Sequence, residues 1–151
     1  MNRKREIADG EFRALAELRY RLRRFVQQGD VAARKAGLEP QQYLLLLAIR
    51  GLPEGQESTI RVLAERLLLR HHSAVELVNR MQKHGYLRRM QSQSDRRKVL
   101  VLLQPRGARL LELVAAQRIS EIRSEGRALG ETITALLQKS KVKAKAGRLK
   151  E

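Results

Sequence analysis

His84-Gly85-Tyr86-Leu87-Arg88-Arg89-Met90, the polar segment Gln91 to Lys98, and Val99-Leu100-Val101-Leu102-Leu103 form the stretch on which the fold turns. Gly85 stops a helix, because a residue without Cβ enters the left-handed region at little cost. Two short runs, Tyr86 to Met90 and Val99 to Leu103, read as strands, and the basic connector reads as the tip of a hairpin. Within the tip, Ser94-Asp95-Arg96-Arg97-Lys98 places one acid ahead of three bases. An exposed arginine loses rotamer entropy when it enters a narrow groove of nucleic acid. A neighbouring carboxylate holds the guanidinium in place beforehand, and the groove's negative potential then attracts it. Asp95 is placed for that task.

Working outward, the segment before Gly85 reads as a helix over Ser73 to His84. At 100° per residue, Ala74, Leu77, Val78 and Met81 share one face. His72, Glu76, Asn79, Arg80 and Lys83 share the other. Arginine suits guanine, asparagine suits adenine and glutamate suits cytosine, so the second face carries the chemistry of base edges and phosphates. By itself it would read as an ordinary solvated face; the basic hairpin beside it changes that preference. Another short helix precedes it, capped by Ser58 or Thr59, with Ile60, Leu63, Ala64 and Leu67 on one side. Gly51, Pro53 and Gly55 mark the loop before it. Pro40 opens a further helix whose run from Tyr43 to Ile49 suits burial on several sides.

Two longer amphipathic segments flank this centre. Residues 6–36 repeat Phe12, Leu15, Leu18, Leu22, Phe25 and Val26 at helical spacing, ending at Gly37. Pro105 opens the other, 105–138, with Leu111, Val114, Ala115, Ile119 and Ile122. Gly126 and Gly130 are expected to break it before a short last helix bearing Ile133, Leu136 and Leu137. The expected fold class is mainly α with a small β-hairpin wing: a winged helix-turn-helix over 38–104 between terminal dimerisation helices. The stripes of 6–36 and 105–138 exceed what so small a centre covers, so a second copy of the chain is the expected partner.

The net charge of +16 is unevenly spread. Residues 1–5 carry +3 and residues 139–151 carry +5, and both read as basic, disordered tails. The remaining +8 sits entirely in residues 70–109, which hold ten Lys/Arg against Glu76 and Asp95. That block is the expected nucleic-acid surface.

Leu38-Glu39-Pro40-Gln41-Gln42-Tyr43, Val62 to Leu67, Val75 to Met81, His84 to Arg89, Ser94 to Val101 and Gly107 together resemble the MarR family of bacterial regulators. The resemblance runs over most of the chain, and the Asp-x-Arg wing before alternating aliphatics is its most specific piece. It implies that Asp95 orients Arg97 towards the minor groove and that the first, fifth and sixth helices form a homodimer. Gln104 stands where the family usually has a capping threonine, and His71-His72 is unusual for the family.

The candidate DNA-binding residues are His71, His72, Ser73, Glu76, Asn79, Arg80, Lys83, Arg88, Asp95, Arg96, Arg97 and Lys98. The expected function is a transcription regulator, a repressor that binds a palindromic double-stranded operator. By the resemblance, a small aromatic or lipophilic effector would release it, with Tyr20 and Tyr43 as polar anchors; core packing is the commoner role for both. A basic winged-helix protein of RNA or the ribosome, and an architectural DNA binder, are the competing readings. Aromatic residues at 3% poorly supply a base-stacking platform, and the Asn/Arg/Glu face argues against purely architectural binding.

No cysteine nucleophile, Gly-rich phosphate loop or Ser/His/Asp pattern is present, so neither an enzyme nor a cofactor is expected. His71, His72 and His84 lack metal-ligand spacing. The longest apolar run is too short to span a bilayer and no leader peptide is visible, so a cytoplasmic protein is expected.

Overall fold

The computed structural model describes residues 7–147, with side chains as far as residue 138. In chain order it holds α1 (Asp9–Lys35), α2 (Pro40–Arg50), α3 (Ile60–Leu67), α4 (His71–Lys83), β1 (Leu87–Gln91), β2 (Val99–Leu103) and α5 (Pro105–Gly147). The chain divides into two compact units, one of residues 29–117 and one drawn from residues up to 28 and from 118 onward. The basic segment 1–5 lies outside the described residues.

Local chemistry sets the helix ends. Gly37 leaves α1 with φ of 83°, and the Leu38 amide returns to the Ala33 carbonyl at 3.0 Å. Glu39 and Gln42 form a reciprocal capping box ahead of α2, with Pro40 in its first turn. Of the two residues considered for capping α3, Thr59 does so, accepting from the Val62 amide. Ser58 is buried, and its hydroxyl donates to the Val101 carbonyl at 2.7 Å. The helix α4 starts at His71, two residues before the expected serine, with extended backbone at Arg70 and no side-chain cap. Gly85 follows α4 with φ of 72°.

The core of the 29–117 unit brings together Leu38, Leu45, Leu46, Leu63, Leu77, Val78, Met81, Leu87, Val101 and Val114, each at most 2% exposed. Burying such a side chain stabilises by about 1.5–3 kcal/mol. Ala32 and Ala33 of α1 and Leu111 of α5 join this core, so both flanking helices contribute to it. The α2 run is less enclosed than its composition suggested. Tyr43, Leu45 and Leu46 are buried, while Leu44 and Leu47 stay exposed on the other helical face.

Strands β1 and β2 pair antiparallel in a register running from Leu87 opposite Leu103 to Gln91 opposite Val99. The segment before α3 adds a third rung: Thr59 bridges to Leu100, and the Val101 amide donates to the Ser58 carbonyl at 2.9 Å.

The expected break at Gly126 and Gly130, and with it the separate last helix, does not occur. Neither glycine has positive φ, and α5 runs unbroken to Gly147, into the segment read as a disordered tail. A glycine costs a helix interior about 1 kcal/mol, which one added turn of Arg, Glu, Ala and Leu neighbours can offset. The Thr132 and Thr134 hydroxyls also donate to carbonyls four residues back, those of Ala128 and Gly130, at 2.9 Å.

Gly107, in the first turn of α5, is required for another reason. The Gln104 amide donates to the Tyr86 carbonyl at 2.9 Å, which draws the start of α5 onto the backbone leading into β1. A Cβ on Gly107 would overlap the Tyr86 carbonyl oxygen and lie 3.1 Å from its carbon. At Gly130 a Cβ would meet nothing within 4 Å. The same substitution is therefore expected to have opposite signs at the two sites. Gly107→Ala should destabilise by roughly 1–3 kcal/mol through overpacking, and Gly130→Ala should stabilise by up to about 1 kcal/mol through helix propensity. Thermal melting of the two variants checks both signs.

Candidate nucleic-acid interface

The helix α4 sorts its side chains as the wheel predicts. Ala74, Leu77, Val78 and Met81 are buried; His71, His72, Glu76, Asn79, Arg80 and Lys83 are exposed, and Ser73 is half-buried. Arg70 sits at the helix start beside His71 and His72. His84, at the far end, stacks on Tyr86 with ring centroids 5.5 Å apart. Arg106 donates to the His84 carbonyl at 3.1 Å and lies 5.2 Å from the centre of the Tyr86 ring.

Arg89 ties the first strand to this helix. Its guanidinium donates to the side-chain carbonyls of Asn79 at 2.7 Å and Gln82 at 2.5 Å. The sequence reading passed over Arg89, although strand alternation places it on the same face as buried Leu87, towards α4. Arg88 points the other way, with its guanidinium 3.7 Å from the Met90 sulfur.

At the tip, one carboxylate oxygen of Asp95 accepts from both the backbone amide of Arg97, at 3.0 Å, and its Nε, at 3.2 Å. These two bonds, the backbone one first, hold the Asp95 carboxyl below its ordinary value. The Arg97 side chain is nevertheless 91% exposed, so it is oriented without being covered. Arg96 is also exposed, and its guanidinium makes no hydrogen bond or ion pair among the described residues.

Lys98 behaves differently from its neighbours. Its ammonium lies 2.9 Å from the Glu57 carboxylate, whose other oxygen accepts from the hydroxyls of Ser92 and Ser94, each at 3.3 Å. The bond to Lys98 is the main reason that the Glu57 carboxyl is held below its ordinary value, and it raises Lys98 in turn. Neither Glu57 nor Arg61 belonged to the predicted site. Arg61, exposed in the first turn of α3, is near enough to Lys98 for the two positive charges to oppose each other.

The two tyrosines fall in different units. Tyr43 is 8% exposed in the core of the 29–117 unit, where it packs. Tyr20 is exposed and, with Phe25, Ile122, Leu129 and Ile133, lines a cleft of about 750 Å³ in the other unit. In that unit Arg118 is buried, donates to the Phe25 carbonyl at 2.8 Å, pairs with Glu121 and covers the Phe25 ring at 4.4 Å.

A sequence model of the MarR family matches residues 36–98. The chain is 26% identical over 117 residues, 78% of either protein, to the uncharacterized HTH-type transcriptional regulator YsmB of Bacillus subtilis strain 168. Its fold is similar to that of AbsC, a MarR family transcriptional regulator from Streptomyces coelicolor, with TM-score 0.70 and 23% identity over 96% of this chain and 99% of that one. CouR from Rhodococcus jostii RHA1, solved bound to p-coumaroyl-CoA, superposes with TM-score 0.66 and 21% identity over 88% and 92% of the two chains. Among the described residues no helix is long and apolar enough to cross a membrane.

Both wing carboxylates are held below their ordinary values, 3.8 for Asp95 and 4.5 for Glu57. The sign follows from linkage: their stabilising contacts are fully present above those values and are lost as pH falls through the lower, folded ones. An NMR titration of the side-chain carboxyl carbons is expected to place both midpoints below the ordinary values. A midpoint at or above either value would remove that carboxylate from the wing's hydrogen-bond network.

Proposed function

We propose that the chain is a MarR-type homodimeric repressor of transcription that reads a palindromic DNA operator, a reading supported by the match of residues 36–98 to the MarR family model. The observation that carries this reading is the Asp95–Arg97 pair at the tip of a hairpin that leaves the end of a helix with an exposed polar face. In this reading His71, His72, Ser73, Glu76, Asn79, Arg80 and Lys83 face the major groove. Arg88 and Arg96 meet phosphates, and Arg97 enters the minor groove. Pinning Arg97 in advance lowers the entropy lost on entry, while its exposure leaves it able to reach the bases.

Dimerisation is supported by apolar side chains that a single copy leaves uncovered. Phe12, Leu15 and Val26 of α1 and Ile119, Ile122 and Leu137 of α5 are each 45–65% exposed. Two copies related by a two-fold axis would present their α4 helices to half-sites about one turn of DNA apart. Release by a small aromatic or lipophilic effector is the accompanying regulatory reading. It is supported by the cleft beside Tyr20, which has the volume of a small-molecule site.

Selection from a random duplex pool is expected to return a palindrome, and light scattering at micromolar concentration a dimer. A random pool with no enrichment, or a strict monomer, would overturn the reading. At the wing, Arg97→Ala should weaken operator binding by on the order of 1–3 kcal/mol, the range of one specific base contact. Asp95→Ala should weaken it too, although that variant is more positive. The double variant should lose less than the sum of the single losses, because one arrangement is being broken twice. Tighter operator binding by Asp95→Ala at matched salt would mean that Asp95 does not serve to orient Arg97.

A further inference from the structure

Glu57 lies 41 residues before Lys98, outside the basic block, yet it meets the hairpin's connecting loop at both of its ends. One carboxylate oxygen takes the Lys98 ammonium, on the residue leading into β2. The other takes Ser92 and Ser94, on the residues leaving β1. Ser92 is 3% exposed; its hydroxyl is 3.0 Å from that of Ser94 and accepts from the Asp95 amide at 3.4 Å. The Ser92 amide donates to the Lys98 carbonyl, and the Lys98 amide to the Asp95 carbonyl, both at 2.9 Å. The carboxylate of Glu57 therefore closes a network that ends at the residue orienting Arg97.

We propose that Glu57 is a positioning residue for DNA recognition: it clamps the two ends of the loop at the wing's tip and keeps Lys98 from serving as a phosphate contact. The proposal deepens the DNA-binding reading and rests on it. It divides the three bases of the wing's tip by task. Lys98 is neutralised and structural, Arg97 is oriented by Asp95, and Arg96 alone carries its charge unpaired. An acid beside a polyanion should repel it, so a carboxylate kept there needs a compensating role, and the clamp supplies one.

Salt dependence separates these roles, since each basic residue that neutralises a phosphate contributes about 0.9 to the slope of log K against log salt. Binding to the selected operator duplex would be measured across a salt series for the parent, Arg96→Gln, Lys98→Gln, Glu57→Gln and the Glu57→Gln/Lys98→Gln double variant. Arg96→Gln is expected to flatten the slope by about one contact, and Lys98→Gln to leave it unchanged. Glu57→Gln should bind roughly threefold to fivefold more weakly at matched salt despite its extra positive charge, the size of an exposed pair held in a network. The double variant should bind no worse than the weaker single variant.

Amide hydrogen exchange of residues 92–98 in the free protein gives a reading that needs no DNA. Glu57→Gln should speed it several-fold while the melting temperature of the whole chain changes little. Tighter binding by Glu57→Gln, a slope lost with Lys98→Gln, or unchanged exchange in residues 92–98 would each overturn the clamp. A parent protein that binds duplex without salt dependence would instead overturn the DNA-binding reading, and the exchange result would still decide the clamp.

Discussion

Ser58 and Val101 are joined by two hydrogen bonds, amide to carbonyl at 2.9 Å and hydroxyl to carbonyl at 2.7 Å. Most of what the 29–117 unit does depends on that junction. A two-stranded hairpin is marginally stable alone. Here its second strand gains a third rung from the segment that leads directly into α3. Ser58 is buried and Val101 has no exposed surface, so both bonds form where water competes poorly. The junction places the wing beside the helix pair rather than leaving it to swing on the Gly85 turn. It also brings the side chain of the preceding residue, Glu57, within reach of Ser92, Ser94 and Lys98.

The charges around the wing illustrate why a count of basic residues is a coarse guide to a binding surface. Between Ser92 and Lys98 the chain has three bases and one acid, but Glu57 adds a second acid from outside the block. Two of the three bases therefore sit beside carboxylates. Each pair is exposed, so it adds little to stability. What such pairs supply is geometry, because a guanidinium or ammonium with a fixed partner samples fewer rotamers. Arg89, spanning from β1 to Asn79 and Gln82, does the same for the exposed face of α4.

Legibility in the sequence followed the range of the interaction involved. Helix ends set by glycine or proline, at Gly37, Pro40, Gly85 and Pro105, were readable because each is a property of a few adjacent residues. The hairpin was readable for the same reason, and its observed strands fall within a residue of the expected runs. Period and face were readable on α4, where 100° steps separate buried from exposed residues correctly. The Asp95–Arg97 bond spans two residues and was anticipated. Glu57 to Lys98 spans 41, and no local pattern announces it. The error at Gly126 and Gly130 came from treating glycine as a stop signal without a following proline or a left-handed backbone. Those glycines remain in helical geometry, as a mid-helix glycine does when its neighbours are strong helix formers.

The two units differ in how well a single copy satisfies them, and that difference bears on how the interface is held. In the 29–117 unit the large aliphatic side chains of α2 to α5 and both strands close on one another and on Ala32 and Ala33 of α1, so the geometry of α4 and the wing is set by a packed core. In the other unit Phe12, Leu15, Val26, Ile119 and Leu137 keep much of their surface in water, and the buried groups are fewer. Arg118 is the exception, a buried cation that pairs with Glu121, donates to the Phe25 carbonyl and lies over the Phe25 ring. Burying a charge is costly unless it is paired and hydrogen-bonded, and this one is both. It fixes one point of contact between α1 and α5 within that unit by direction rather than by area. The apolar stripes that run beside that point remain open to whatever covers them.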